Sequence, residues 1–206
     1  MRSVRTNVRS EGRSLAERIR GAAAETFAQF GFHAAGMRDI ARAAGVSIGA
    51  LYHYFPSKEQ VFLAVLRREY ERHLATAQHL LRQGLPAAEV LRRVIATHFE
   101  ALAPGRGVGL FARAWGTEAP ELQPHLQALR EEYAGAVGDL LRQAMDRGEL
   151  RRGHPLVLAY ALLGLVEAVT ARAVGDDPVA AEFRRLGSEE LANLVWRGLR
   201  AEREAS

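Results

Sequence analysis

A chain of 206 residues, 48% hydrophobic and 25% charged, is long enough for one or two domains with a substantial core. It has no cysteine, which excludes a disulfide framework, a thiolate metal site and a cysteine nucleophile and fits a reducing cytoplasm. The positive excess is local: residues 1–58 carry nine Arg plus Lys against four Asp plus Glu, and residues 59–206 carry 19 against 20. A polyanion would be drawn to the N-terminal end alone. No apolar run reaches membrane-spanning length and residues 1–13 hold no apolar signal core, so the expectation is a cytoplasmic protein that does not engage a membrane.

Residues 1–13 form a basic arm with Arg2, Arg5, Arg9 and Arg13 against the single acid Glu11. It fits an arm laid along DNA and equally a solvated tail. Ser14-Leu15-Ala16-Glu17 is a capping box, predicting a helix with the stripe Leu15, Ile19, Ala23, Phe27 and Phe30, ended by Gly31. Phe32 closes the same small core. Two short helical patterns follow, Arg38 to Ala44 and Ile48 to Phe55, separated by Gly45-Val46-Ser47. The glycine suits a left-handed helix end and the serine an N-cap, so the stretch reads as a helix-turn-helix. Ile40, Ala41, Ala44, Val46, Leu51 and Phe55 hold the helices together; Ala50, Tyr52, His53 and Tyr54 form the face that can meet methyls, base edges and phosphates in a major groove.

With Phe55-Pro56-Ser57-Lys58-Glu59 added, this stretch resembles the DNA-binding domain of the TetR family of bacterial transcriptional regulators. Arg38-Asp39-Ile40-Ala41, Ala44-Gly45-Val46-Ser47, Gly49-Ala50-Leu51-Tyr52, Tyr54-Phe55 and Ser57-Lys58-Glu59 carry the likeness, in family order and without gaps. The chain departs from the pattern at Gly36-Met37, where the family places a threonine cap. The resemblance implies that Ile48 to Phe55 enters the major groove, with Ala50 at a base edge or thymine methyl. Tyr52, Tyr54 and His53 would reach phosphates or bases, and Arg38, Ser47 and Lys58 would hold the backbone.

Ser57-Lys58-Glu59-Gln60 is a second capping box, and an unbroken amphipathic pattern runs from Lys58 to about Gln83. At about 1.5 Å per residue that helix is close to 40 Å long, either a strut or a lever between the reading head and the remainder. Gly84 and Pro86 separate it from a helix through Val90, Val94, His98, Phe99 and Leu102. The glycines at 105–109 follow a helix and not a strand, so they are a turn and not a dinucleotide fingerprint. A short helix ending at Gly116 comes next, then one capped by Thr117 that carries Leu122, Tyr133 and Val137 and stops at Gly148.

Pro155 to Val174 is apolar on two faces, Leu158, Leu162, Leu165 and Val169 on one and Ala159, Leu163 and Val166 on the other, so it needs two partners. Gly175 to Pro178 reads as a loop, and Ser188 starts a last helix with Leu191, Leu194, Val195 and Leu199. The resemblance implies that helices 155–174 and 188–203 form a dimeric four-helix bundle, with Leu158, Leu162, Leu165, Val169, Leu191, Leu194, Val195 and Leu199 at the interface. A wholly internal core is the alternative.

No nucleophile elbow, H-E-x-x-H or P-loop is present, and the histidines form no metal pair along the sequence, His73 and His79 lying on different faces. No enzyme activity, cofactor or metal is expected. The fold class is all-α with about nine helices: arm 1–13, helix-turn-helix domain 14–57, and effector-binding and dimerisation domain 58–206. The expected function is a ligand-responsive regulator, a repressor that binds a near-palindromic operator as a homodimer. A largely apolar effector would release it, an acyl thioester, a lipid-like acid or a bulky drug, held by Phe99, Leu102, Phe111, Trp115, Tyr133 and Val137 with His98 and Arg113 as polar groups. Core packing explains the same residues. The alternatives are an architectural DNA-binding protein without effector and an all-helical enzyme.

Overall fold

The computed structural model describes residues 4–100, 102 and 120–201, with side chains from Leu15 onward. Among them are eight α-helices: α1 Val4–Ala34, α2 Met37–Ala44, α3 Ile48–Tyr54, α4 Lys58–Arg82, α5 Ala87–Glu100, α6 Gln123–Asp146, α7 Pro155–Ala173 and α8 Pro178–Leu199. A single 3₁₀ turn, Pro120–Leu122, leads into α6. No strand occurs among the described residues; one bridge, Leu150 to Arg200, ties the α6–α7 connection to the end of α8. The predicted short helix before Gly116 and the Thr117 cap lie outside the described residues.

Helix α1 starts at Val4, ten residues before the expected cap, so Ser14 lies inside a helix. Nothing in residues 4–13 breaks a helix except Gly12, and an isolated interior glycine costs only about 1 kcal/mol. At the other end Gly31 leaves the helical region with φ 75°, as expected. Phe30, assigned to the inward stripe, is instead exposed, because the turn at Gly31 brings Phe32 into the core in its place.

Phe27 and Phe32 meet Phe62 of α4 edge-on, at centroid distances of 5.1 and 5.0 Å, and Ile19, Ile40, Leu51 and Val61 fill the space around them. The first turns of α4 therefore complete the core of the three-helix head. The same helix runs on for 25 residues and buries Tyr70, His73, Ala77 and Leu80 in the C-terminal domain. Arg68 of α4 and Arg20 of α1 both pair with Glu17, fastening head to helix from the outside.

Two sequence expectations fail in the C-terminal half. The last helix begins at Pro178 and not Ser188: Asp177 accepts from the N–H groups of Val179 and Ala180, both at 3.0 Å, with proline in the first turn. Gly187 in its middle is a notch, not a break; a Cβ there would stand 2.6 Å from Phe99 Cε1 and 3.2 Å from Val169 Cγ1. Second, α7 does reach membrane-spanning length by composition, with 19 residues and a mean hydropathy of 1.7. Its inward residues Ala159, Leu163, Val166 and Thr170 are packed between α6 and α8, the arrangement of a core helix with one face left open.

Candidate nucleic-acid interface and internal cavity

The reading head is set by its turn. Gly45 takes the left-handed conformation (φ 63°, ψ 41°), which lets its N–H reach the Arg42 carbonyl and the Val46 N–H reach the Ala41 carbonyl. Ser47 then caps α3, its Oγ accepting from the Ala50 N–H at 3.1 Å. Leu51 and Phe55 are buried, while Ile48, Tyr52 and His53 are exposed and Ala50 and Tyr54 half-buried. Tyr52 is the outstanding case, an aromatic ring 49% exposed on a seven-residue helix. Arg38 is exposed on the first turn of α2, where Gly36 makes no side-chain cap.

Lys58 does not extend freely. Its Nζ donates to the His33 carbonyl at 3.1 Å and sits 4.6 Å from the Phe32 ring centroid. This preorganises the cation at the junction of the head and α4. Arg18, which sequence reasoning did not single out, donates to the Ala44 carbonyl at 2.9 Å and so holds α1 against the last turn of α2. Only the fold brings these two, 26 positions apart, together.

Behind the head, α4, α5, α6 and α7 line a half-open cavity of about 100 Å³, with about 820 Å³ of empty space once the solvent at its mouth is counted. The wall is aliphatic (Leu74, Ala77, Val90, Val94, Val137, Leu141, Leu163, Val166) with His73, His98 and Tyr133 as its polar side chains. No Asp, Glu, Lys or Arg lines it among the described residues. The two histidine rings lie 3.6 Å apart, tilted by 32°, a pair from α4 and α5 that the sequence spacing of the histidines concealed. Burial holds both well below the ordinary histidine range, His98 at about 4, with Arg72 adding to the cost of a second positive charge. Both are uncharged at neutral pH. Among the described residues no group of three or more histidines or carboxylates could hold a metal ion.

Tyr133 stacks on Tyr70, centroids 4.1 Å apart and planes 8° apart, and burial pushes both phenols up. Arg130 and Glu167 pair at 2.5 Å nearby; burial pushes Glu167 up to about 7 although Arg130 opposes it. A shallower depression of about 310 Å³, its mouth included, shares Leu74 and Tyr133 with the cavity and opens beside the Arg67–Glu132 pair.

Of the expected effector residues, His98, Tyr133 and Val137 line the cavity. Phe99 does not: one residue further along α5 it faces α8 and fills the Gly187 notch. Leu102 sits in the turn after α5, outside the wall. Phe111, Arg113 and Trp115 lie outside the described residues. His73, Leu74, Leu162, Leu163, Val166 and Leu199 belong to the wall and were not proposed for it.

The expected dimer residues divide as well. Leu191, Val195 and Leu199 are buried within the single chain, and half-buried Leu162 lines the cavity. Leu158 and Val169 are half-buried, whereas Leu165 and Leu194 are 40% and 61% exposed. Periodicity finds both apolar faces of α7 but cannot say which looks outward; the inward one is Ala159, Leu163 and Val166. The open face carries Val157 and Leu165; Leu156, also exposed, lies in the first turn of α7 on another side.

Comparison with known proteins agrees with this architecture. Residues 19–65 match the family described as bacterial regulatory proteins, tetR family, and residues 84–171 match the tetracyclin repressor-like C-terminal domain. The chain belongs to the TetR family. It is 30% identical to the transcriptional activator FasR of Mycolicibacterium smegmatis over 86% of this chain and 80% of that one. It is 25% identical to the fatty acid metabolism regulator protein of Bacillus subtilis over 75% of this chain and 81% of the relative. The fold is similar to that of FadR from Bacillus subtilis in complex with stearoyl-CoA, with a TM-score of 0.72 at 21% identity, covering 88% of this chain and 98% of that one. The protein is thus a TetR-family transcriptional regulator built of an N-terminal helix-turn-helix and a C-terminal helical domain.

Proposed function

We propose that this TetR-family chain is a repressor that binds a near-palindromic operator as a homodimer and is released by a long, largely apolar small molecule held in the α4–α7 cavity. The observation that carries the reading is the sharing of α4: one rigid helix contributes Phe62 to the head and His73, Leu74 and Ala77 to the cavity wall. A ligand that favours one packing of α4 against α5 and α6 thereby displaces the recognition helix. An acyl chain suits the lining, and a relative named for fatty acid metabolism together with a similar fold holding stearoyl-CoA supports an acyl thioester as the first compound to try. Two heads spaced by about 34–36 Å would read successive major grooves. The exposed apolar face of α7 with Leu194 of α8 is the surface proposed for the twofold contact.

The test selects an operator from random duplexes and titrates the complex with long-chain acyl thioesters. A hundredfold loss of operator affinity requires only about 2.7 kcal/mol of preference for the released state. Tight binding in the cavity that leaves operator affinity unchanged refutes the switch.

A further inference from the structure

The cavity's hydrogen-bonding character follows from two contacts that fix its histidine tautomers. His98 Nδ1 lies 2.8 Å from the Val94 carbonyl, which can only accept, so Nδ1 carries the proton. The uncharged ring then has its lone pair on Nε2, on the side turned away from the backbone of α5. His73 Nε2 lies 3.1 Å from Nη2 of Arg72, which can only donate, so His73 is protonated at Nδ1 instead. The ring of His73, packed 3.6 Å from that of His98, keeps the latter from turning.

We infer that His98 Nε2 is the ligand's polar anchor, and that the cavity selects apolar molecules bearing an uncharged hydrogen-bond donor, a hydroxyl or an amide N–H, over matching carboxylates and simple esters. This rests on the proposal that the cavity is the effector site. A lone pair in an otherwise largely aliphatic wall pairs with a donor; a carboxylate or ester oxygen set against it leaves two acceptors facing each other out of water. A carboxylate also finds no compensating cation, since no charged side chain lines the described wall. Burial keeps His98 at about 4, so at neutral pH the ring does not supply that charge itself. Arg72, which touches His73, further disfavours a positive ring, and Tyr133 in the same wall, held protonated, supplies no positive charge to offset a carboxylate. The donor could come from an alcohol on the chain or from an amide in its head group, and the two are tested separately.

The experiment is isothermal titration calorimetry at neutral pH with a matched ten-carbon set: 1-decanol, decanamide, methyl decanoate and decanoate. The proteins are wild type, His98→Gln, His98→Phe and, to fill the cavity, Val137→Trp. Decanol, decanamide or both should bind wild type at least about tenfold more tightly than the ester and the carboxylate. His98→Gln, whose amide oxygen can accept, should keep most of that gap, and His98→Phe should erase it. Equal binding of all four compounds, abolished by Val137→Trp, refutes the selectivity and leaves the cavity reading standing. Binding untouched by Val137→Trp, or no binding at all, refutes both. Preference for decanoate with proton uptake, seen as a buffer-dependent heat, also overturns the inference, because the ligand would then be charging His98. Should a His98 variant fail to fold, the wild-type ranking alone decides.

Discussion

At the scale of single residues, Tyr52 and Lys58 are the positions at which the two proposed kinds of DNA contact can be told apart. Tyr52 is exposed on α3, whereas Lys58 is already held by the His33 carbonyl and the Phe32 ring. Lys58→Ala should weaken binding to every duplex and flatten the salt dependence by about one unit, while Tyr52→Ala should reduce discrimination between operator and random DNA. Anisotropy titrations at several salt concentrations measure both. The histidine pair predicts an acid weakness of defined sign. His98 has an ordinary value of 6.5 lowered to about 4 by burial, so the folded state resists a proton the unfolded state takes, and stability is lost as pH falls from 6.5. By pH 5 that loss should reach roughly 2 kcal/mol. Glu167, raised to about 7, works the other way, since folding favours its protonated form as pH drops. Melting curves at pH 7 and 5 should therefore show a smaller acid destabilisation in His98→Gln than in wild type; an unchanged difference would mean that His98 is not held neutral. The helix-turn-helix residues were legible because turn chemistry and apolar spacing both mark them. The His73–His98 contact was not, since no local pattern pairs position 73 with position 98.

At the scale of elements, helix starts were misread where a strong local signal competed with a longer one. Ser188-Glu189-Glu190 looks like a start, but Asp177-Pro178 lies upstream, and Asp177 makes the capping bonds. The intervening glycine at 187 looks like a breaker and instead lets α8 pass close to Phe99 and Val169. Glycine substitutions in two helices should consequently have opposite effects. Gly187→Leu drives a side chain into Phe99 and should cost about 1–3 kcal/mol or more. Gly135→Ala, on α6 with no atom within 4 Å of the new Cβ, should gain up to about 1 kcal/mol from helix propensity. Chemical denaturation of the two variants reads both numbers; a neutral Gly187→Leu would mean that α5 and α8 do not pack as closely as described. The order of the long helices and the extent of α4 were readable from periodicity, whereas the outward face of α7 depended on which neighbours the fold supplies.

At the scale of the whole molecule, the exposed apolar residues decide how dimerisation should be probed. Leu162 lines the cavity, so a charge there would confuse ligand binding with assembly; Leu165 and Leu194 are the informative positions. Leu165→Glu should shift the chain to monomer in analytical ultracentrifugation and lower operator affinity by more than tenfold with α3 intact. A monomer of full affinity would exclude the twofold reading. The sharing of α4 also bears on recombination. Phe62 belongs to the packing of Phe27 and Phe32, Arg68 to that of Glu17, and His73 onward to the cavity. A sensor that keeps this cavity but carries a foreign reading head should accordingly be spliced between Arg68 and His73. A splice at Ser57, the evident sequence boundary, would set foreign aromatic residues against Phe62 and should yield a chimera whose head melts separately from its body in calorimetry.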